Sequence, residues 1–123
     1  SMEHPKCLCH IDANVDNFLF FEDGSVKLLD WEYAGMCDPV MDVSMCAIYS
    51  YYNEEDMERL FRLYLQREPS EDELFALYAN AALGGFLWCL WAVYKSILGD
   101  EFGEYTIIMY RYAKKYYRKL RKL

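Results

Sequence analysis

Two short apolar runs, Phe18 to Phe21 and Val26 to Leu29, are separated by Asp23-Gly24, a dipeptide that accepts the positive φ of a tight hairpin turn. That turn folds the runs back on one another as antiparallel strands. The residues just outside them, Asn17 and Asp30, are thereby brought together. Asp12 stands five positions before Asn17 in His10-Ile11-Asp12-Ala13-Asn14-Val15-Asp16-Asn17. Two carboxylates and an amide oxygen are the groups that phosphoryl transfer asks of a protein. One carboxylate orients the acceptor hydroxyl and takes its proton, while the amide and the other carboxylate hold magnesium on the phosphates. Each residue alone reads as a turn or cap residue. The joint spacing is what points to chemistry.

Downstream the pattern turns helical. Gly35 to Pro39 reads as a loop, after which Asp38 or Asp42 can open a helix running through Val43 to Tyr52. From Glu54 to Gln66, Met57, Leu60, Phe61, Tyr64 and Leu65 recur at helical spacing opposite charged residues. Pro69 ends that helix, and Ser70-Glu71-Asp72-Glu73 is a capping box opening a long apolar one to about Leu98. Gly84-Gly85 inside it costs about 1 kcal/mol per glycine relative to alanine, which predicts close helix packing or a kink. Gly99-Asp100 closes it. A last helix, about Glu104 to Arg121, is predicted to bury Ile107, Ile108, Tyr112 and Tyr116. The expected fold is α+β and mostly helical, a single domain over 1–123: catalytic loop 9–17, hairpin 18–30 and about four helices over 41–121.

At 123 residues and 54% apolar content the chain can bury a real core. Its longest uninterrupted apolar stretch, Ala81 to Val93, falls short of the ~18 residues that span a bilayer, so no membrane span is expected. Glu3, His4 and Lys6 precede a region too polar for a signal-peptide core. Cys7, Cys9, Cys37, Cys46 and Cys89 lack the spacing of a disulfide framework, which favours a reducing, cytoplasmic setting. His4, Cys7, Cys9 and His10 are too crowded for a usual zinc site. Residues 111 to 123 hold seven basic groups and no acid, leaving six basic groups against 20 acids elsewhere. Cations at the end of a helix complement its dipole, so nucleic acid is not the expected partner.

The pattern H-x-D-x-x-x-x-N formed by His10, Asp12 and Asn17, with Asp30 after the hairpin, resembles the catalytic segment of the protein-kinase-like fold. His-Ile-Asp and Asp30-Trp31-Glu32 point away from protein kinases toward its small-molecule branch, as do Gly35, Asp38, Pro39 and Asp42, which resemble a G-x-x-D-P-x-x-D segment. Trp88-Cys89-Leu90-Trp91, Asp30-Trp31-Glu32-Tyr33 and Glu101-Phe102-Gly103-Glu104-Tyr105 are similar to segments of choline and ethanolamine kinases, most of all the bacterial LicA type. Without the resemblance, two tryptophans at i and i+3 are neighbours on one helix face. They serve either as core or as a wall for a quaternary ammonium, which is recognised through aromatic faces.

The resemblance implies ATP as co-substrate, Mg2+ on Asn17 and Asp30, Asp12 as the catalytic carboxylate, and choline or a related amino alcohol as acceptor. Glu32, Tyr33, Trp88, Trp91 and Tyr105 would line the acceptor site, with His10 and Asp42 as structural support. Only nine residues precede His10, and the glycine-rich phosphate loop and phosphate-binding lysine have no counterpart. The expectation is therefore a C-terminal lobe without its nucleotide-binding partner lobe, poorly active alone and prone to self-association through an uncovered face. Ethanolamine, an aminoglycoside or another small alcohol is the alternative acceptor, and a non-catalytic quaternary-ammonium-binding module the alternative function.

Overall fold

The computed structural model describes residues 5–123, and the chain divides into two compact units, Ser1–Glu68 and Pro69–Leu123. The first contains β1 (Cys7–Cys9), a 3-10 turn (Val15–Asn17), β2 (Phe18–Phe20), β3 (Val26–Leu28), β4 (Gly35–Cys37), α1 (Val40–Tyr49) and α2 (Glu54–Leu65). β2 and β3 form the expected antiparallel hairpin, with Phe18 opposite Leu28 and Phe20 opposite Val26. At its tip Gly24 takes φ 83°, a conformation that suits a residue without Cβ. The Asp23 carboxylate accepts from the Ser25 hydroxyl at 2.6 Å and from the Ser25 N–H at 2.9 Å. Those bonds, the hydroxyl's first, hold the Asp23 carboxyl below its usual range.

A second antiparallel pair, β1 with β4, places Cys7 opposite Cys37 and Cys9 opposite Gly35. Gly35 to Cys37 is thus a strand and not the start of a loop. Three residues carry no readable alternation, and the partner strand lies 28 positions away between Cys9 and Cys37. Helix α1 begins at Val40, whose N–H donates to Asp38 Oδ1 at 2.9 Å, and it ends at Tyr49, short of the expected Tyr52. Tyr51 there turns to φ 56°. Asn53 caps α2 by accepting from the Asp56 N–H, and the helix buries Met57 and Phe61 while Tyr64 stays 52% exposed.

The second unit pairs α3 (Glu71–Ile97) with α4 (Tyr105–Leu120). The capping box forms: the Glu73 N–H donates to Ser70 Oγ at 3.2 Å and the Ser70 N–H to Glu73 Oε2 at 2.8 Å. Helix α3 runs through Gly84-Gly85 unbroken. A Cβ on Gly85 would stand 2.8 Å from the Met109 carbonyl oxygen and 2.9 Å from the Ala113 nitrogen, so this glycine lets the α4 backbone approach closely. That contact sets the phase of α4. Met109, Tyr112 and Tyr116 turn inward, whereas Ile107, expected in the core, is 54% exposed. Tyr116 stacks between Tyr78 and Tyr112, with ring centroids at 5.6 and 6.2 Å.

Helix α3 is also long and apolar enough, by length and composition, to cross a membrane, which counting uninterrupted apolar residues did not register. It packs closely along α4 at Gly85, and 39% of its most apolar window is buried.

Candidate active site

The loop after β1 carries the first group of candidate residues, and α1 holds it. Asp42, in the first turn of α1, accepts from the His10 N–H at 2.9 Å through Oδ2 and from the Ile11 N–H at 2.7 Å through Oδ1. Ile11 needs such support, because it sits at φ 72°. For a β-branched residue the left-handed region costs on the order of 1–3 kcal/mol unless the surroundings over-determine it. The next residue is Asp12, half-buried, and its Oδ1 accepts from the Tyr49 hydroxyl at 2.9 Å.

The Asp12 carbonyl accepts from the Asn14 N–H at 2.7 Å and from Asn17 Nδ2 at 3.0 Å. With its Nδ2 so engaged, the Asn17 amide keeps Oδ1 as its acceptor atom. The hairpin ladder extends to the same residue, for the Leu29 N–H donates to the Asn17 carbonyl at 2.8 Å. Asn17 and the residue preceding Asp30 are therefore paired directly. Asp30 is exposed and left-handed at φ 63°, a conformation that aspartate tolerates better than isoleucine.

His10 is fully buried and ties the loop to the hairpin. Its Nε2 lies 2.6 Å from the Leu29 carbonyl, which can only accept, so Nε2 carries the proton. The ring meets Trp31 edge-on at 4.9 Å, and Nδ1 is buried without a hydrogen-bond partner. Trp31 is fixed in turn by donating from Nε1 to the Leu28 carbonyl at 2.8 Å. Glu32 and Tyr33 form the exposed tip of the turn closed by the Ala34 N–H on the Trp31 carbonyl.

Among the described residues no cluster of three or more His, Cys, Asp or Glu is placed to hold a metal. His4 lies outside the described residues. An amide oxygen and one carboxylate nonetheless suit magnesium, a hard cation that usually takes one or two carboxylates and completes its shell with waters and substrate phosphates. Cys9 is buried with its Sγ 3.5 Å from the Cys7 and Cys37 carbonyl oxygens, and burial, then the neighbouring Cys37 and Cys7 side chains and the Asp42 charge, push its thiol well above the usual range. All five cysteines are free thiols.

In the second unit Trp88 and Trp91 meet edge to face at 5.3 Å, Trp91 touches Phe102 at 5.2 Å, and Phe102 reaches Tyr105 at 6.2 Å. Trp88, Trp91 and Tyr105 are thus joined into one aromatic string through Phe102. Sequence reasoning did not single out Phe102, although it lies in the segment that nominated Tyr105. The Lys95 ammonium sits 6.0 Å from the Trp91 ring and 3.5 Å from Asp100 Oδ2, so this indole face already meets a cation. Tyr49 was also missed. Its only sequence signal is a position seven residues after Asp42, two helical turns along the same face.

The phosphotransferase enzyme family (APH) matches residues 1–82, and the chain belongs to that family. Its fold is that of the C-terminal lobe of choline kinase structures, a mostly helical α+β arrangement with, among the described residues, two small antiparallel sheets and four α-helices. Protein LicA of Haemophilus influenzae is 27% identical over 105 residues, covering 80% of this chain and 39% of that protein. Choline kinase LicA from Streptococcus pneumoniae is similar in structure, with a TM-score of 0.73 at 30% identity over 93% of this chain and 40% of that one. A LicA structure in complex with AMP gives a TM-score of 0.74 at 29% identity, over 94% and 40% of the two chains. The chain spans about two-fifths of the length of the relatives it matches.

Proposed function

We propose that these residues are the catalytic and acceptor-binding part of a cytoplasmic ATP-dependent choline kinase, which moves the γ-phosphoryl group of ATP to the choline hydroxyl. The observation that carries the reading is the braced loop. Asp42 holds the His10 and Ile11 amides that lead into a strained Ile11, and the hairpin ladder ends with Leu29 bonded to Asn17, next to Asp30. On this reading Asp12 orients the acceptor hydroxyl and accepts its proton through Oδ2, since Oδ1 already accepts from Tyr49. Asn17 Oδ1 and the Asp30 carboxylate hold magnesium, which when bound neutralises charge on the phosphates. His10 keeps Asp30 in register with the loop by fixing the Leu29 carbonyl.

The acceptor is choline in preference to ethanolamine, because Trp88, Trp91 and Tyr105 supply ring faces, which a trimethylammonium group needs in place of hydrogen-bond acceptors. In the first unit, Glu32 and Tyr33 are further candidates for contact with the ammonium, on the strength of the Asp30-Trp31-Glu32-Tyr33 resemblance. Calorimetry of this chain with choline tests the reading. Trp91→Ala is expected to weaken binding by about 2- to 30-fold, the equivalent of one cation–π contact. Equal binding by Trp91→Ala, or tighter binding of ethanolamine than of choline, sinks the acceptor assignment. Choline binding in a whole protein that forms no phosphocholine with MgATP would favour a non-catalytic ammonium-binding module.

A further inference from the structure

We infer that Tyr49 is a positioning residue for the phosphotransfer step, fixing which oxygen of Asp12 meets the acceptor hydroxyl; the inference rests on the role proposed above for Asp12. Helix α1 touches the loop at two points. Asp42 in its first turn accepts from the His10 and Ile11 N–H groups, and Tyr49 in its last donates to Asp12 Oδ1 at 2.9 Å. Seven residues are two helical turns less about 20°, so both side chains project from one face, roughly 10 Å apart along the axis. One rigid helix therefore fixes the backbone before Asp12 and the carboxylate of Asp12 itself.

The loop alone leaves that carboxylate under-determined. The Asp12 main-chain oxygen is held by Asn14 and Asn17, yet no other described hydrogen bond reaches the side chain. A carboxylate free to rotate about its terminal torsion presents either oxygen. A phenol donating to Oδ1 removes that freedom and directs Oδ2 outward as the acceptor for a substrate hydroxyl. The bond is to a carboxylate and partly shielded from water, and a hydrogen bond to a charged acceptor is stronger than one between neutral groups. Its contribution falls on the chemical step, because it orients a group that acts on the proton of the hydroxyl and leaves the ammonium contacts untouched.

Tyr49→Phe tests this, since it removes one oxygen and keeps the ring. In the whole protein, kcat for choline is expected to fall about tenfold, the effect of one charge-assisted hydrogen bond, with KM for choline changed by less than about twofold. Tyr49→Gln, which restores a donor, is expected to recover part of the loss. Hydrogen exchange of this chain gives a readout without turnover: the Asn14 amide exchanges faster in Tyr49→Phe while the Ile11 amide, held by Asp42, is unchanged. A wild-type kcat, or faster exchange confined to the amides of Ser50 and Tyr51 at the end of α1, overturns the role of Tyr49. Turnover retained by Asp12→Asn overturns the assignment of Asp12, and absence of phosphocholine formation by the wild-type protein overturns both.

Discussion

Replacing Asp42 with alanine should loosen the candidate catalytic loop more than any other single change in the first unit. The carboxylate accepts two backbone N–H groups at 2.9 and 2.7 Å, and a hydrogen bond to a charged group contributes about 1.5–3 kcal/mol. The sum is an upper bound, because Ile11 and Asp42 are only half-buried and water can reach the freed amides. Against that, the left-handed Ile11 loses the contact that holds it, and relaxation of its backbone favours the open loop. Taken together, local opening should become easier by about 2–4 kcal/mol, or about 30- to 1000-fold in exchange protection at His10 and Ile11. Native-state hydrogen exchange is the appropriate assay, since two compact units need not unfold in one step. Asp42→Asn keeps one acceptor oxygen and should lose about half as much free energy. Protection at both amides within threefold of wild type in Asp42→Ala would refute the bracing argument.

Gly85→Ala gains about 1 kcal/mol of helix propensity but drives a methyl against backbone atoms of α4 at 2.8 and 2.9 Å, which no rotamer change relieves. A net loss of about 1–2 kcal/mol in chemical denaturation of the second unit is expected, and an equal or more stable variant would contradict the packing. Burial raises the Cys9 and Cys46 thiols in the folded state, so the unfolded chain ionises first as pH passes the ordinary thiol value of 9.0. Stability should therefore be intact below that pH and decline above it. The decline should be shallower in Cys9→Ala, and an identical pH profile for the variant would count against it. Phe20 and Ile97 are 77% and 80% exposed among many uncovered apolar side chains, so light scattering should show this chain self-associating with concentration; monomer throughout would contradict that.

The parts of the fold legible in the sequence were those written in neighbouring residues. Asp23-Gly24 fixed the hairpin, Ser70 to Glu73 the start of α3, and Gly84-Gly85 announced the close helix contact that the α4 backbone makes at Gly85. What stayed hidden depends on residues far apart in the chain. The pairing of Gly35–Cys37 with Cys7–Cys9 leaves no periodic trace in two three-residue strands. On α4 Tyr112 and Tyr116 turn inward as expected, but Ile107 is exposed and Met109 is buried in its stead, beside the close contact at Gly85. Asp12, Asn17 and Asp30 stood out as candidates through their spacing. Tyr49 and Phe102 did not, since each matters through what a turn elsewhere brings to it.

Formation of phosphocholine from choline and MgATP, followed by 31P NMR in the whole protein and its Asp12→Ala variant, tests the central claim most directly. The account predicts transfer by the wild type, and in the variant turnover reduced by at least about a hundredfold with choline binding largely intact, the scale of losing a positioned proton acceptor. Phosphocholine formed at the wild-type rate by Asp12→Ala, or transfer to an aminoglycoside and not to choline, would contradict it.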